Sequence, residues 1–286
     1  MNRKSIFIII LVLFLTLISL RDIYAQDENI VISLGEDLKE EQKNEILEIF
    51  GAADNAKIIY VTNEEEKKYL GRYIDEDIIG NRAISSAYVK SLDDDSGIDV
   101  ETYNITWVTK KMYMNALATA GVKNAKVKVA SPVKVSGTAA LTGIIKAFED
   151  ASGEKIGEKE KQVANEEVAK TGQLGEEIGK DKASQLIKEI KEEIIVKNAK
   201  DEEQIRRIII DVTGELNINL NEKQISDIVS LMKNISELNL NIEDIQSQLR
   251  GIVNKIKEVT ENNQEVRSIL QRIIDFIRNL FASLFT

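Results

Sequence analysis

Ser136-Gly137-Thr138 stands where an extended run hands over to a helical one. Exposed amides at a helix start, flanked by two hydroxyls, can hold an anion, and Gly137 lets a ligand approach the backbone. The same residues also serve as an ordinary helix cap. No GxxxxGKS or GxxxxGKT run occurs, so the segment is not a P-loop. Arg82, Ser85 and Ser86 on one expected strand, with Trp107 on a neighbour, form a second set. A guanidinium beside an aromatic ring suits a sugar or an acidic peptide group. The competing assignment is a core Trp and an Arg paired with one of many carboxylates.

Other patterns lead to less. Asp93, Asp94, Asp95 and Asp99 surround Gly97 in an oxygen-rich turn of the kind that suits calcium. The twelve-residue spacing and terminal Glu of an EF-hand are missing, which leaves a solvated turn. Ser131 to Lys134 matches SxxK and Lys170-Thr171-Gly172 matches KTG, the order of penicillin-interacting serine enzymes. Pro132 follows the Ser, Val133 and Val135 read as extended, and no SDN lies between. The 48 acidic residues make carboxylate pairs unavoidable, so spacing says nothing about two-carboxylate glycoside hydrolysis. Cys and His are both absent. That excludes disulfides, thiol nucleophiles, thiolate or imidazole zinc sites and Ser-His-Asp chemistry. No metal site and no cofactor are expected.

The elements that must carry these residues follow from period and punctuation. Asn29 to Leu34 predicts a strand, then a helix opened by Asp37 with Glu40 and closed by Gly51. Lys57 to Thr62 predicts a second strand, and Asn63 with Glu66 a short helix ending near Gly71. Arg82 to Leu92 and Ile98 to Val108 predict a β-hairpin around Gly97. Asn104 to Thr109 extends as strand, with Ile105, Trp107 and Thr109 on one face. Thr109 caps a helix ending at Gly121. Ala125 to Ala130 returns as strand, Pro132 breaks it, and a helix runs from Ser136 to about Ala151. After Gly153 proline is absent and charge is dense, with helices expected at 158–170, 174–197, 201–212, 221–236, 241–258 and 263–283.

The chain starts like an export signal. Arg3 and Lys4 precede an apolar run from Ile6 to Leu20, and Ala25 offers a small residue for cleavage. The run is about fifteen residues, short of the roughly 20 that a spanning helix needs. Losing residues 1–25 removes three positive charges and one negative, taking the net charge from −10 to −12. An acidic surface of that size repels nucleic acid and anionic lipid at long range. The C-terminus differs. Ile269, Leu270, Ile273, Phe276, Ile277, Leu280, Phe281 and Leu284 make a continuous apolar face, accompanied by Arg267, Arg272 and Arg278. Such a tail suits a membrane interface, the helical region or a second copy.

Runs along most of the chain resemble the YpuA-like family of exported proteins of endospore-forming bacteria. They include SLGEDLKEEQ (33–42), VTNEEEKKYLG (61–71), IGNRAISSAYV (79–89), NALATAGVKNAKV (115–127), VSGTAALTGIIKAFE (135–149) and NLNEKQISDIVSLMKNI (219–235). The resemblance implies an extracytoplasmic α/β domain followed by helices, in a family of unknown function, and brings no catalytic residue or partner. The expected architecture is a signal peptide (1–25), an α+β or α/β domain with a mixed sheet (26–152), an all-helical region (153–262) and an amphipathic helix (263–286). The expected role is a non-enzymatic envelope binding protein whose partners are membrane surface, cell wall or an envelope protein. The rivals are a carboxylate enzyme acting on cell-wall polymer and a homo-oligomeric helical scaffold.

Overall fold

The computed structural model describes residues 29–51, 56–93, 96–243, 245 and 247. The expected signal segment (1–25), Asp94, Asp95 and the residues expected to form the C-terminal apolar face (263–286) lie outside the described residues, as does nearly all of the helix expected at 241–258. The chain runs β1 (Ile30–Gly35), α1 (Glu40–Phe50), β2 (Lys57–Val61), α2 (Asn63–Leu70), α3 (Glu76–Ile79), β3 (Ser86–Ser91), β4 (Ile98–Ile105), α4 (Lys110–Ala120), β5 (Ala125–Val135) and α5 (Thr138–Ser152). Four more helices follow: α6 (Glu158–Ile178), α7 (Lys180–Val196), α8 (Glu202–Glu215) and α9 (Glu222–Ser236). The architecture is an α+β sheet domain with a mainly helical continuation.

The five strands form one mixed sheet in the order β2-β1-β3-β5-β4. β1 and β2 are parallel, as are β4 and β5, while β3 runs antiparallel to both β1 and β5. Side chains alternate between two faces. Val31, Val89, Val100, Val127 and Val129 point to the face covered by α4 and α5. Ile32, Leu34, Tyr88 and Ala130 point to the other, where Ile46 and Phe50 of α1 pack.

β3 and β4 do not pair as the expected hairpin, because β5 lies between them. Ala125, Val127, Val129 and Ala130 of β5 are all fully buried, whereas β4 carries Asp99, Glu101 and Tyr103. The strand with the longer fully buried run therefore takes the interior, although it also carries Lys126 and Lys128, and the strand that exposes Glu101 and Tyr103 takes the edge. β5 also continues through Pro132. Pairing with β3 stops at Ala130, and the β4 register shifts between Tyr103 and Ile105. The missing proline N–H thus falls where the ladder is already interrupted. Asn104, at φ 59°, makes that irregularity and donates to the Ser131 carbonyl at 3.0 Å. β4 consequently ends at Ile105, and Trp107 belongs to the turn that follows.

Two helix starts differ from expectation. α1 begins at Glu40, where the Gln42 side chain accepts the Lys39 N–H at 3.0 Å. Asp37 instead accepts the Ala83 N–H at 2.7 Å. α2 is capped by Thr62, not Asn63, and Glu65 closes its capping box. The Thr109 cap and the left-handed Gly121 terminus are found where expected.

α6 runs unbroken across the gap expected at 171–173. Gly172 fits because the Trp107 ring occupies its side-chain space: a Cβ there would lie 2.2 Å from Trp107 Cη2. The core of the sheet continues into α6 through Ala164, Val168 and Ala169. A second apolar cluster joins α7, α8 and α9 around Ile187, Ile190, Ile209, Leu231 and Ile235. Between the two, Lys191 is buried and donates to Glu167 Oε1 (2.8 Å), Thr119 Oγ1 (2.9 Å) and the Asn115 carbonyl (2.8 Å). Thr119 donates in turn to Glu167 Oε2.

Removing one partner strands a buried charge, a loss of about 3–5 kcal/mol. Lys191→Met is expected to destabilise by that amount in urea unfolding followed by Trp107 fluorescence. Lys191→Met/Glu167→Met is expected to recover most of the loss.

Candidate functional site

The junction of β5 and α5 is clamped from one side. Thr106 N and Oγ1 donate to the Val135 carbonyl at 2.9 and 2.8 Å. Trp107 N and Val108 N donate to the Ser136 carbonyl at 3.2 and 3.0 Å. The buried Tyr113 hydroxyl of α4 donates to the Gly137 carbonyl at 2.5 Å. Three successive carbonyls thereby have their hydrogen bonds met within the chain. Gly137 is required twice over: φ is 93°, and a Cβ would lie 2.4 Å from Ile105 Cγ2 and 2.6 Å from Tyr113 Oη. The Ser136 and Thr138 hydroxyls bond each other at 2.9 Å.

These residues border a cleft of about 260 Å³. Its opposite wall is the loop that enters β3. That loop is strapped to the end of β1 by Asp37, through Ala83 N and through Arg82 Nη2, which donates to the Asp37 carbonyl at 3.1 Å. Asn81, Arg82 and Ser85 thereby face Ser136, Gly137 and Thr138 across the cleft. The structure thus brings Arg82 together with the Ser136–Thr138 segment. Trp107 does not line this cleft. It is buried against Gly172, and its Nε1 donates to Glu176 Oε1 at 2.7 Å.

Sequence reasoning missed one residue that lines the cleft, Glu66. The capping box assigned to Asn63 would spend Glu66 on the helix start. With Thr62 as the cap, Glu65 takes that task and Glu66 turns inward on the next position of α2. Its side chain is 0% exposed. Oε2 accepts from Asn63 Nδ2 at 3.3 Å, and Oε1 has no hydrogen-bond partner. Burial pushes its pKa up to about 7, against the Thr138 hydroxyl, the Asn63 amide and Lys67, which pull it down. Burial, then the nearby Glu66 carboxyl, hold the Tyr113 phenol well above its ordinary range. The available signal was the Thr62-x-x-Glu65 pattern, a better capping box than Asn63 with Glu66.

The arrangement sets a carboxyl with one unpartnered oxygen beside two hydroxyls and the first turn of α5. A perturbed acid in a cleft marks a candidate site. Above neutral pH it is an acceptor and carries negative charge, so a group that both donates and accepts hydrogen bonds fits better than a free anion. Among the described residues, no cluster of three or more acidic side chains is placed to hold a metal ion, and no helix is long and apolar enough to cross a membrane.

A family described as "Protein of unknown function (DUF1002)" matches residues 34–252. The chain belongs to this family. It is also 41% identical over 280 residues to the uncharacterized protein YpuA of Bacillus subtilis (strain 168), with 96% of each chain covered. No solved structure matches. The DUF1002 match spans both walls of the cleft, the whole sheet from Leu34 onward and helices α6 to α9.

Because folding raises the Glu66 pKa from an ordinary 4.5, the folded state binds that proton more tightly than the unfolded one. The resulting stability is full below pH 4.5 and is lost as pH rises through about 7, a difference of about 3 kcal/mol. Glu192 is also raised to about 7, but its side chain is 26% exposed and carries less weight. Glu66→Gln is expected to leave stability at pH 5 nearly unchanged and raise it at pH 8. Urea midpoints across that range check this.

Proposed function

We propose that this DUF1002 chain is an exported, non-enzymatic binding protein of the cell envelope. Its cleft at the start of α5 holds a hydroxyl-bearing ligand, a sugar unit of an envelope polymer. The observation that carries the reading is Glu66 Oε1, buried and unpartnered beside the Ser136 and Thr138 hydroxyls. A ligand hydroxyl can donate to that oxygen and accept from a neighbouring hydroxyl, which a simple anion cannot do. Glu66 is the one carboxylate among the residues lining the cleft, whereas hydrolysis of a glycoside in the usual manner needs two. This favours binding over turnover. The basic and apolar opening of the chain supports export, and the apolar face from Ile269 to Leu284 supports attachment at a membrane surface.

Titration of the mature chain with soluble glycan fragments of peptidoglycan, followed by amide chemical shifts, tests the cleft. Saturable shifts are expected at the residues of α2 and α5 that border it. At pH 8, Glu66→Gln is expected to weaken binding about tenfold, as a charge-assisted hydrogen bond becomes a neutral one. At pH 5.5 wild type and variant should converge. Shifts confined to other surfaces, or soluble fragment release from intact wall, would sink the reading.

Intact-mass measurement on protein recovered from the envelope fraction tests export. A chain beginning at Gln26 is expected, and its pelleting with liposomes should depend on residues 263–286. Retention of residues 1–25, or pelleting that persists without the tail, counts against it.

A further inference from the structure

The sheet ends on a strand that has no partner strand on its outer side among the described residues. Among the described residues β4 pairs on one side only, with β5. Along that edge runs a groove of about 840 Å³, much larger than the cleft beside Glu66. Val100, Val108 and Met114 give it an apolar floor, while Glu101, Lys110 and Asp181 stand at its rim. Unpaired backbone groups beside an apolar trough are what an added β-strand satisfies, and a docked helix would leave the edge amides unmet.

The inner neighbour of β4 shows which side chains suit it. Asp99, Val100 and Glu101 stand opposite Lys126, Val127 and Lys128 of β5. Lys126 Nζ lies 3.7 Å from Glu101 Oε1. One face of the pairing is valine on valine and the other is lysine on carboxylate. The outer side of β4 presents the same two faces, since alternation sends Val100 toward α4 and Asp99 and Glu101 the opposite way. A second copy of β4 would bring Asp99 and Glu101 up to their own kind, an arrangement that repels.

We propose that β4 accepts an extended peptide from another protein as a sixth strand. Its alternate residues are apolar, toward Val100, Val108 and Met114, and basic, toward Asp99 and Glu101. The site is separate from the cleft and does not rest on the sugar reading.

The probe is a fluorescently labelled hexapeptide, Ala-Lys-Val-Lys-Val-Ala, which copies residues 125–130. Polarisation titrations with the mature chain are expected to saturate. Glu101→Lys, a change at an exposed position, is expected to weaken binding about fivefold, as one favourable cross-strand pair becomes a repulsive one. A fully N-methylated version of the peptide cannot add to a ladder and is expected not to bind. Absence of saturation, equal binding by the N-methylated peptide, or indifference to Glu101→Lys would each overturn the proposal.

Discussion

Lys191 places all of its ammonium donors inside the protein, on groups from two different helices. Burying two charges costs several kcal/mol, so the pair with Glu167 is weak evidence for stability by itself. Its effect is positional. The network closes only when α4, α6 and α7 are all in register, because the Asn115 carbonyl and Thr119 belong to α4, Glu167 to α6 and Lys191 to α7. Asn115 adds a further tie, its side chain donating to the Ser184 carbonyl of α7 at 2.9 Å. α4 is also the helix that carries Tyr113, whose hydroxyl holds the Gly137 carbonyl. The helical continuation therefore fixes the helix that fixes the cleft. Trp107 against Gly172 makes the same connection from the other end of α4.

What could be read from the residues was local, and what could not was not. Thr109 caps α4 with its hydroxyl, which accepts the Met112 N–H three residues on, and Gly121 ends the helix with a left-handed residue, so both were visible in a short window. Strand order needs pairings across dozens of residues, and the hairpin expected between β3 and β4 was the natural error. The clue lay in burial: β5 alternates valine with lysine but stays buried from Val129 through Ser131, whereas β4 alternates with carboxylates and exposes Glu101 and Tyr103. The α2 start is a subtler case. Thr62-Asn63-Glu64-Glu65-Glu66 contains two overlapping capping boxes one residue apart. The choice between them turns Glu66 from a solvent-facing cap into the buried acid of the cleft. Of the candidate residues, Ser136, Gly137, Thr138 and Arg82 meet in one place, and Trp107 was separated from them because β4 stops at Asn104 and Ile105 instead of running on.

Glu66 is poorly placed if stability alone is considered. It is buried with one oxygen unpaired, and burial disfavours its carboxylate form relative to an ordinary Glu. A Gln or an apolar residue would fill the position at lower cost. Proteins retain such features where a site needs them, since an unmet buried acceptor is relieved by a ligand that supplies the donor. The surrounding order supports that view. The backbone carbonyls of residues 135–137 are all spent on hydrogen bonds from Thr106, Trp107, Val108 and Tyr113, which leaves the hydroxyls and the carboxyl as the groups free to address the cleft.

Ile105 joins the two surfaces of the sheet domain. It ends β4, pairs with Val135 and lines the groove along the outer edge. Its Cγ2 also occupies the space that a side chain at 137 would need, so it forms the back of the Gly137 turn. The backbone that carries it runs straight into Thr106, Trp107 and Val108, the residues that grip the β5–α5 junction. A strand seated against β4 would press on the same residue that shapes the cleft. The irregularity at Asn104 shifts the register, so that Ile105 stands opposite Val135 beyond the regular ladder of β4 and β5. The geometry therefore makes the end of β4 a place where an event on the sheet edge and an event at the helix start meet through a single side chain.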